Sequence, residues 1–297
     1  MRFAALKTGN VDHMRRALAL VPLALLLVAA PGCGSEALEL DPVAEAAART
    51  SEAGSSKVEL SMSMAMDDQV FDIAASGAFD FAESRGSLDY RMKVPELGRM
   101  SMEMRMVGSR IFMRMPAALG GELPEGKSWI GIDVGKALDE EGLGALDFTS
   151  QQDPAETLRI LRAASDGVRE SGSATIRGVA TKRYVGRMDL HKAIEVGLDE
   201  QGIDGAEREK ARRTMERLLE QTGSVSVPFE VFLDEDGLVR RVTQDYDMTI
   251  EGEKIAMRIA MDFFDFGVEV DVRSPPEAEV FDVTDETTFE PEAESDS

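Results

Sequence analysis

From Lys57 onward, apolar and polar residues alternate with a period of two through much of the chain, the pattern of strands buried on one face. In VELSMSMAM the apolar phase is Val58, Leu60, Met62, Met64 and Met66, with small or charged residues between. Asp67-Asp68 marks a turn, and Phe71, Ile73, Ala75, Gly77, Phe79 and Phe81 carry the next apolar phase. Glu83-Ser84-Arg85-Gly86 turns again before Leu88, Tyr90, Met92 and Val94. Beyond Pro95–Gly98 the phase is Met100, Met102, Met104 and Met106, and beyond Gly108 it is Ile111, Met113 and Met115. Connections this short join antiparallel neighbours, because parallel strands need a crossover of a dozen residues or more. The spacing therefore predicts five consecutive antiparallel strands.

The middle of the chain changes period. PAALGGELPEGK (116–127) reads as a loop, SWIGIDV (128–134) as a strand with the single tryptophan, and Asp153-Pro154 opens a helix over DPAETLRILRAA, an N-cap with proline at the first helical position. Asp41-Pro42 opens PVAEAAARTSEA in the same way. SATIRG and VATKRYVGRMDL read as strands, HKAIEVGL as helical, and GAEREKARRTMERLLEQTG as a charged amphipathic helix with a narrow stripe of Ala211, Met215, Leu218 and Leu219. Strands resume in VPFEVFLDEDGLVRRVTQDYDMTI, with Asp236-Gly237 at a hairpin turn, and in KIAMRIAMDFFDF. With no linker inside 41–273, the elements predict one α+β domain whose antiparallel sheet curls around something.

The methionines are the unusual part of the pattern. Most of the 17 fall in strand-like segments and in the apolar phase. Methionine is unbranched and polarizable, and fills irregular space or surfaces that accept varied apolar partners. Periodicity alone leaves two readings open: a filled core that uses methionine in place of leucine and valine, or an adaptable apolar cavity.

The amino terminus carries an address. Met14-Arg15-Arg16 precedes ALALVPLALLLVAAPG, 16 residues without a charge, and then Cys33. A basic start, a short apolar run and small residues before a cut site read as a secretory signal over residues 1–32, with Met14 as a candidate start. Such a run makes about 24 Å of helix against a hydrocarbon core of about 30 Å, so a permanent span is the weaker reading. Residues 33–40 form a tether, and 274–297, with nine acids and no base after Arg273, read as an acidic disordered tail.

Charge and composition narrow the chemistry. There are 56 Asp and Glu against 33 Lys and Arg, a net charge of −23, which disfavours nucleic acid and anionic lipid surfaces as partners. Two histidines, His13 and His191, and the lone Cys33 leave no His/Cys metal set, disulfide or histidine triad. Asp234-Glu235-Asp236-Gly237 lacks the acids of a calcium loop and reads as a hairpin tip; Asp139-Glu140-Glu141 reads as a solvated acidic loop. Neither a G-x-S-x-G elbow nor a phosphate-binding glycine loop is present. The chain is read as a non-enzyme with no cofactor, no metal site and no catalytic residues.

Two resemblances give this reading a direction. Ala30-Pro31-Gly32-Cys33 resembles a bacterial lipobox, although Ala30 stands where leucine is usual; the resemblance implies a diacylglyceryl group on Cys33 and an extracytoplasmic body on a membrane surface, inner or outer. PEGKSWIGIDVGKA with Trp129 and Asp133, the run DPAETLRILRAASDGVRESGSATIRGVATKRYVGRMDL, and VPFEVFLDEDGLVRRV together resemble the LppX/LprG family of bacterial lipoproteins, which has the LolA/LolB fold. The resemblance spans roughly 41–270. It implies an unclosed antiparallel half-barrel of about eleven strands with helices at its mouth, whose concave face holds lipid acyl chains. In this sequence that face would be Met62, Met64, Met66, Phe71, Ile73, Met100, Met102, Met104, Met106, Met113, Met115, Met257, Ile259 and Met261. The implied partners are a lipid or acylated glycolipid and the membrane, with a membrane transporter or other envelope lipoproteins beside them. Two alternatives stay open: an envelope scaffold without lipid cargo, and a LolB-like acceptor of lipoproteins that touches membrane through Leu119 and Leu123. Arg240 and Arg241 are candidates for headgroup contact or ordinary exposed hairpin charges.

Overall fold

The amino-terminal alternation folds as five successive strands: β1 (Ser55–Met66), β2 (Gln69–Asp80), β3 (Arg85–Val94), β4 (Gly98–Val107) and β5 (Arg110–Arg114). Each pairs antiparallel with the next. The computed structural model describes residues 42–66, 69–94, 98–116, 123–136, 154–165, 167–200, 202–223, 225–250 and 252–284. The lipobox, Cys33, the tether, the acidic loop at 139–141, Leu119 and the expected N-caps Asp41 and Asp153 lie outside the described residues.

The remaining strands are β6 (Trp129–Asp133), β7 (Arg169–Ile176), β8 (Val179–Asp189), β9 (Ser226–Leu233), β10 (Val239–Ile250), β11 (Glu253–Phe264) and β12 (Val280–Asp282). Among the described residues they form one sheet in the order β12-β6-β5-β4-β3-β2-β1-β11-β10-β9-β8-β7. Its edges, β12 and β7, do not pair with each other, so the sheet is unclosed. The chain builds β1 to β6 outward in one direction, then fills the other side, and the seam is the antiparallel pairing of β1 with β11. Close backbone approach fixes part of this register. A Cβ on Gly77 would stand 1.8 Å from the carbonyl oxygen of Ser87 on the neighbouring strand, so only glycine fits there.

Among the described residues four helices cover one face: α1 (Pro42–Glu52), α2 (Pro154–Ala163), α3 (Leu190–Glu200) and α4 (Gly205–Thr222). Their buried residues follow helical spacing, with Val43, Ala46, Ala47 and Thr50 on α1 and Leu158 and Leu161 on α2. The principal helix–strand packing falls on β8, β9 and β10, and α1 also packs on α2. The Thr50 hydroxyl accepts from the backbone N–H of Val239 at 3.1 Å, and the Arg49 guanidinium donates to the Asp236 carbonyl at 3.0 Å. Together these bonds fix α1 to the β9–β10 hairpin. On α3 the Asp189 carboxylate accepts from the N–H groups of His191 and Lys192, an N-terminal cap. Gly223 ends α4 in the left-handed conformation at φ 64°.

The carboxyl-terminal segment corrects the expected tail. Residues 274–284 are ordered on the sheet: a 3₁₀ turn at Glu277–Glu279 leads into β12, which lies parallel to β6. The segment leaves β11, donates from Gly267 N–H to the Ser55 carbonyl, accepts from Arg105 at the Arg273 carbonyl, and ends with the Thr284 hydroxyl accepting from Asp133 N–H. Val280 packs with Phe112 and Trp129 in a small second cluster, and the Arg105 guanidinium lies over the Trp129 ring at 4.6 Å. The apolar packing of Val280 on Phe112 and Trp129 and a parallel strand outweigh the acidic composition of this stretch, and the remainder, 285–297, lies outside the described residues. The sheet accordingly has twelve strands where about eleven were expected.

Candidate functional site: the methionine face

Register decides which side chains share a face, since residues directly opposite one another project to the same side. Met62 is opposite Ile73 on β2 and Ile259 on β11; Ile73 is opposite Met92, and Met92 opposite Met100. The next rows run Met257–Met64–Phe71 and Met261–Leu60–Ala75–Tyr90–Met102. Further along, Met104 faces Met113 and Met106 faces Ile111, while Met115 continues the alternation past β5. Met66, opposite Ile255, belongs to the same side. All fourteen of the expected positions thus share the face that the helices pack against. From Ile255–Phe263 of β11 across to Ile111 and Met113 of β5, that face carries no Asp, Glu, Lys, Arg or His.

Burial divides the fourteen. Met62, Met106, Met257 and Ile259 are buried; Met64, Met66, Phe71, Ile73, Met100, Met102, Met104, Met113, Met115 and Met261 are half-buried. The helices pack chiefly on β8–β10, which explains the gradient. Phe229 and Val231 on β9 are sealed into the main core, whereas Met100 and Met102 of β4 and Met113 of β5 stay half-buried, on strands that make no principal helix contact among the described residues. Met92 is the residue that motif reading left out. It occupies the same row as Met62 and Met100, half-buried, and its position in the alternation was the available signal.

The polar groups on this face are few and neutral. The Tyr90 hydroxyl contacts the Met104 sulfur at 4.0 Å, and burial pushes its phenol up to about 12. Tyr246, opposite Met257, is likewise pushed up by burial. Shifts of this sign and cause mark a region of low polarity.

The other candidates resolve differently. Arg240 and Arg241 are not free hairpin charges: Arg240 Nε bonds Asp234 at 2.6 Å, where the carboxylate is 2% exposed, and Arg241 holds Asp262 through both its Nε and Nη2. Consecutive arginines gave no sign of these partners, which come from the turn and from β11. Asp234 also accepts from the N–H groups of Asp236 and Leu238, so the acidic run is the tip of the β9–β10 hairpin. His191 is exposed at the start of α3, and Leu123 is half-buried in the loop before β6. Among the described residues no cluster of three or more metal-ligand side chains occurs, and no helix is long and apolar enough to cross a membrane.

Comparison with known proteins gives likeness of fold at low identity. No family model matches the chain, and no curated protein matches it. Similar solved structures include the lipoprotein LppX of Mycobacterium tuberculosis, 14% identical with a TM-score of 0.40, covering 78% of this chain and 100% of that one. LprF from Mycobacterium bovis is 11% identical with a TM-score of 0.40, covering 79% and 95%. The MucA/MucB complex of Pseudomonas aeruginosa is 13% identical with a TM-score of 0.32, covering 75% and 56%. The structures similar to this chain thus include the LppX type that its motifs resemble. At these identities and scores the likenesses carry no weight in the functional reading, which rests on the residues of the methionine face.

Proposed function

We propose that this chain is a membrane-anchored extracytoplasmic lipoprotein that holds lipid acyl chains against its methionine face and carries or presents them in the cell envelope. The observation that supports it is the uncharged row system of the sheet, ten of its fourteen expected positions only half-buried and most of those flexible thioether side chains. An acyl chain of about sixteen carbons moved there from water gains on the order of 10 kcal/mol before ordering costs are subtracted. Because methionine can re-pack, one face accepts chains of different length and branching. The absence of Asp, Glu, Lys, Arg and His from this face along β1–β5 fits the hydrocarbon part of a lipid, with its headgroup outside. Cys33, as the acylated residue, would tether the body to the membrane that supplies or receives the lipid.

Organic extraction of the purified full chain, followed by mass spectrometry, tests the reading. Acyl lipid recovered in stoichiometric amount beyond the covalent group on Cys33 supports it. Recovery of no lipid, together with failure to take up a fluorescent fatty acid, contradicts it and leaves the scaffold alternative.

A further inference from the structure

The opposite face of the same sheet carries a cavity of about 780 Å³. Its walls are triplets of consecutive residues centred on Met62, Ile73, Met92 and Met100. The side chains of those four belong to the methionine face, so they give the cavity only its backbone floor, and the residues on either side of each project into it. Three of these are cations, Arg91, Lys93 and Arg99, joined in the lining by Arg258 and Ala260 of β11, against one carboxylate, Asp72. Small residues between them, including Ser61, Ser63 and Ser101, leave the space open and supply hydroxyls.

In a chain of net charge −23 this is a local excess of positive charge, and the register makes it costly. Lys93 and Arg99 are directly opposite on β3 and β4, where like charges destabilise a sheet. Arg258 is satisfied by Asp245 at 3.0 Å, and Arg91 donates to the Ser76 hydroxyl at 2.9 Å. Lys93 and Arg99 have no ion-pair partner among the described residues. Cations gathered around a hollow, two of them directly opposite and only one carboxylate among them, point to an anionic ligand, and the volume falls within the range of small-molecule sites.

We infer that this outer-face cavity binds a small, multiply charged phosphate-bearing ligand, held by Arg91, Lys93 and Arg99 with the serine hydroxyls beneath. Arginine and lysine together provide the fork and point-charge contacts that phosphate oxygens take. An anionic bilayer is the other source of the same chemistry, and charge argues against it. An extended anionic surface would meet the acidic body as a whole, in a chain of net charge −23. A small ion seated among these exposed cations feels chiefly its nearest neighbours, because farther charges are screened over about 10 Å in ordinary buffers.

The test is calorimetric titration of the full chain in non-ionic detergent with pyrophosphate, beside Lys93→Gln, Arg99→Gln and, as a distant control, Lys182→Gln. The expected result is saturable binding, weakened on the order of tenfold by each of the first two changes and unchanged by the third. Pyrophosphate should raise the melting temperature of the parent, and Lys93→Gln should melt above the parent without ligand because the facing charges are relieved. No saturable binding, equal weakening by chloride at matched ionic strength, or equal affinity in all variants overturns the inference. So does binding to phosphatidylglycerol vesicles more than to phosphatidylcholine vesicles, lost in Lys93→Gln, without binding to pyrophosphate.

Discussion

Met62 of β1 stands directly opposite Ile259 of β11, and both are buried. Their contact lies on the seam where the strands built from the first half of the body meet those built from the last. Truncation there opens the centre of the sheet, while truncation at the edge does not. Met62→Ala should lower unfolding free energy by about 2–4 kcal/mol, the range for buried methionine and leucine. Met113→Ala, at a half-buried position on β5, should cost less than about 1.5 kcal/mol. Urea denaturation of the two variants measures both, and equal losses would contradict the division of the face into sealed and open parts.

The tyrosines report the polarity of the same face. Burial raises the phenol of Tyr90 to about 12 and shifts Tyr246 and Tyr184 upward as well, in Tyr184 with the Glu170 charge as a second cause. A pKa raised on folding contributes stability that is complete below the unfolded value of about 10 and is lost as pH rises through the folded value. Stability should therefore fall between about pH 10 and 12. An ultraviolet titration should find no tyrosine ionising near its ordinary value until the fold opens. An early phenolate signal in the folded protein would show that this side of the sheet is wet.

The carboxyl-terminal strand should let go in acid. The Thr284 hydroxyl and N–H bond the Asp282 carboxylate, with the Arg110 charge adding to the effect, and hold its pKa below the usual aspartate value. A depressed pKa contributes stability that is present above the unfolded value, about 3.9, and is lost as pH falls through the folded one. Because Val280, two residues before Asp282, packs on Trp129, tryptophan fluorescence should shift toward that of exposed indole as pH falls below the ordinary aspartate range. Asp282→Asn should abolish that low-pH component. An unchanged acid profile in Asp282→Asn would assign the transition to another group.

Much of this arrangement was legible in the alternation. Five strands, the Asp236-Gly237 hairpin and the common face of the methionines all follow from period-two spacing and turn residues, which are local signals; the expected turns at 67–68 and 95–97 lie outside the described residues. What escaped depends on pairing between distant segments. β12 is three residues in an acidic stretch, and only the parallel partner β6 and the Trp129–Phe112 surface give it a place. The outer cavity escaped because Arg91, Lys93 and Arg99 look like a solvated strand face one strand at a time. Only when Lys93 is set across from Arg99 do they become neighbours. Arg240 and Arg241 read as free charges for the same reason, since Asp262 reaches Arg241 from another strand.

The central claim, that the methionine face receives acyl chains, is tested most directly by methyl nuclear magnetic resonance of the full chain labelled at its methionine methyl groups, titrated with a fatty acid. The account predicts saturable shifts at the half-buried Met64, Met66, Met92, Met100, Met102 and Met113, with the fully buried Met188 under α2 unmoved. Saturating fatty acid that leaves those six signals in place, or that moves Met188 as much as the rest, would contradict it.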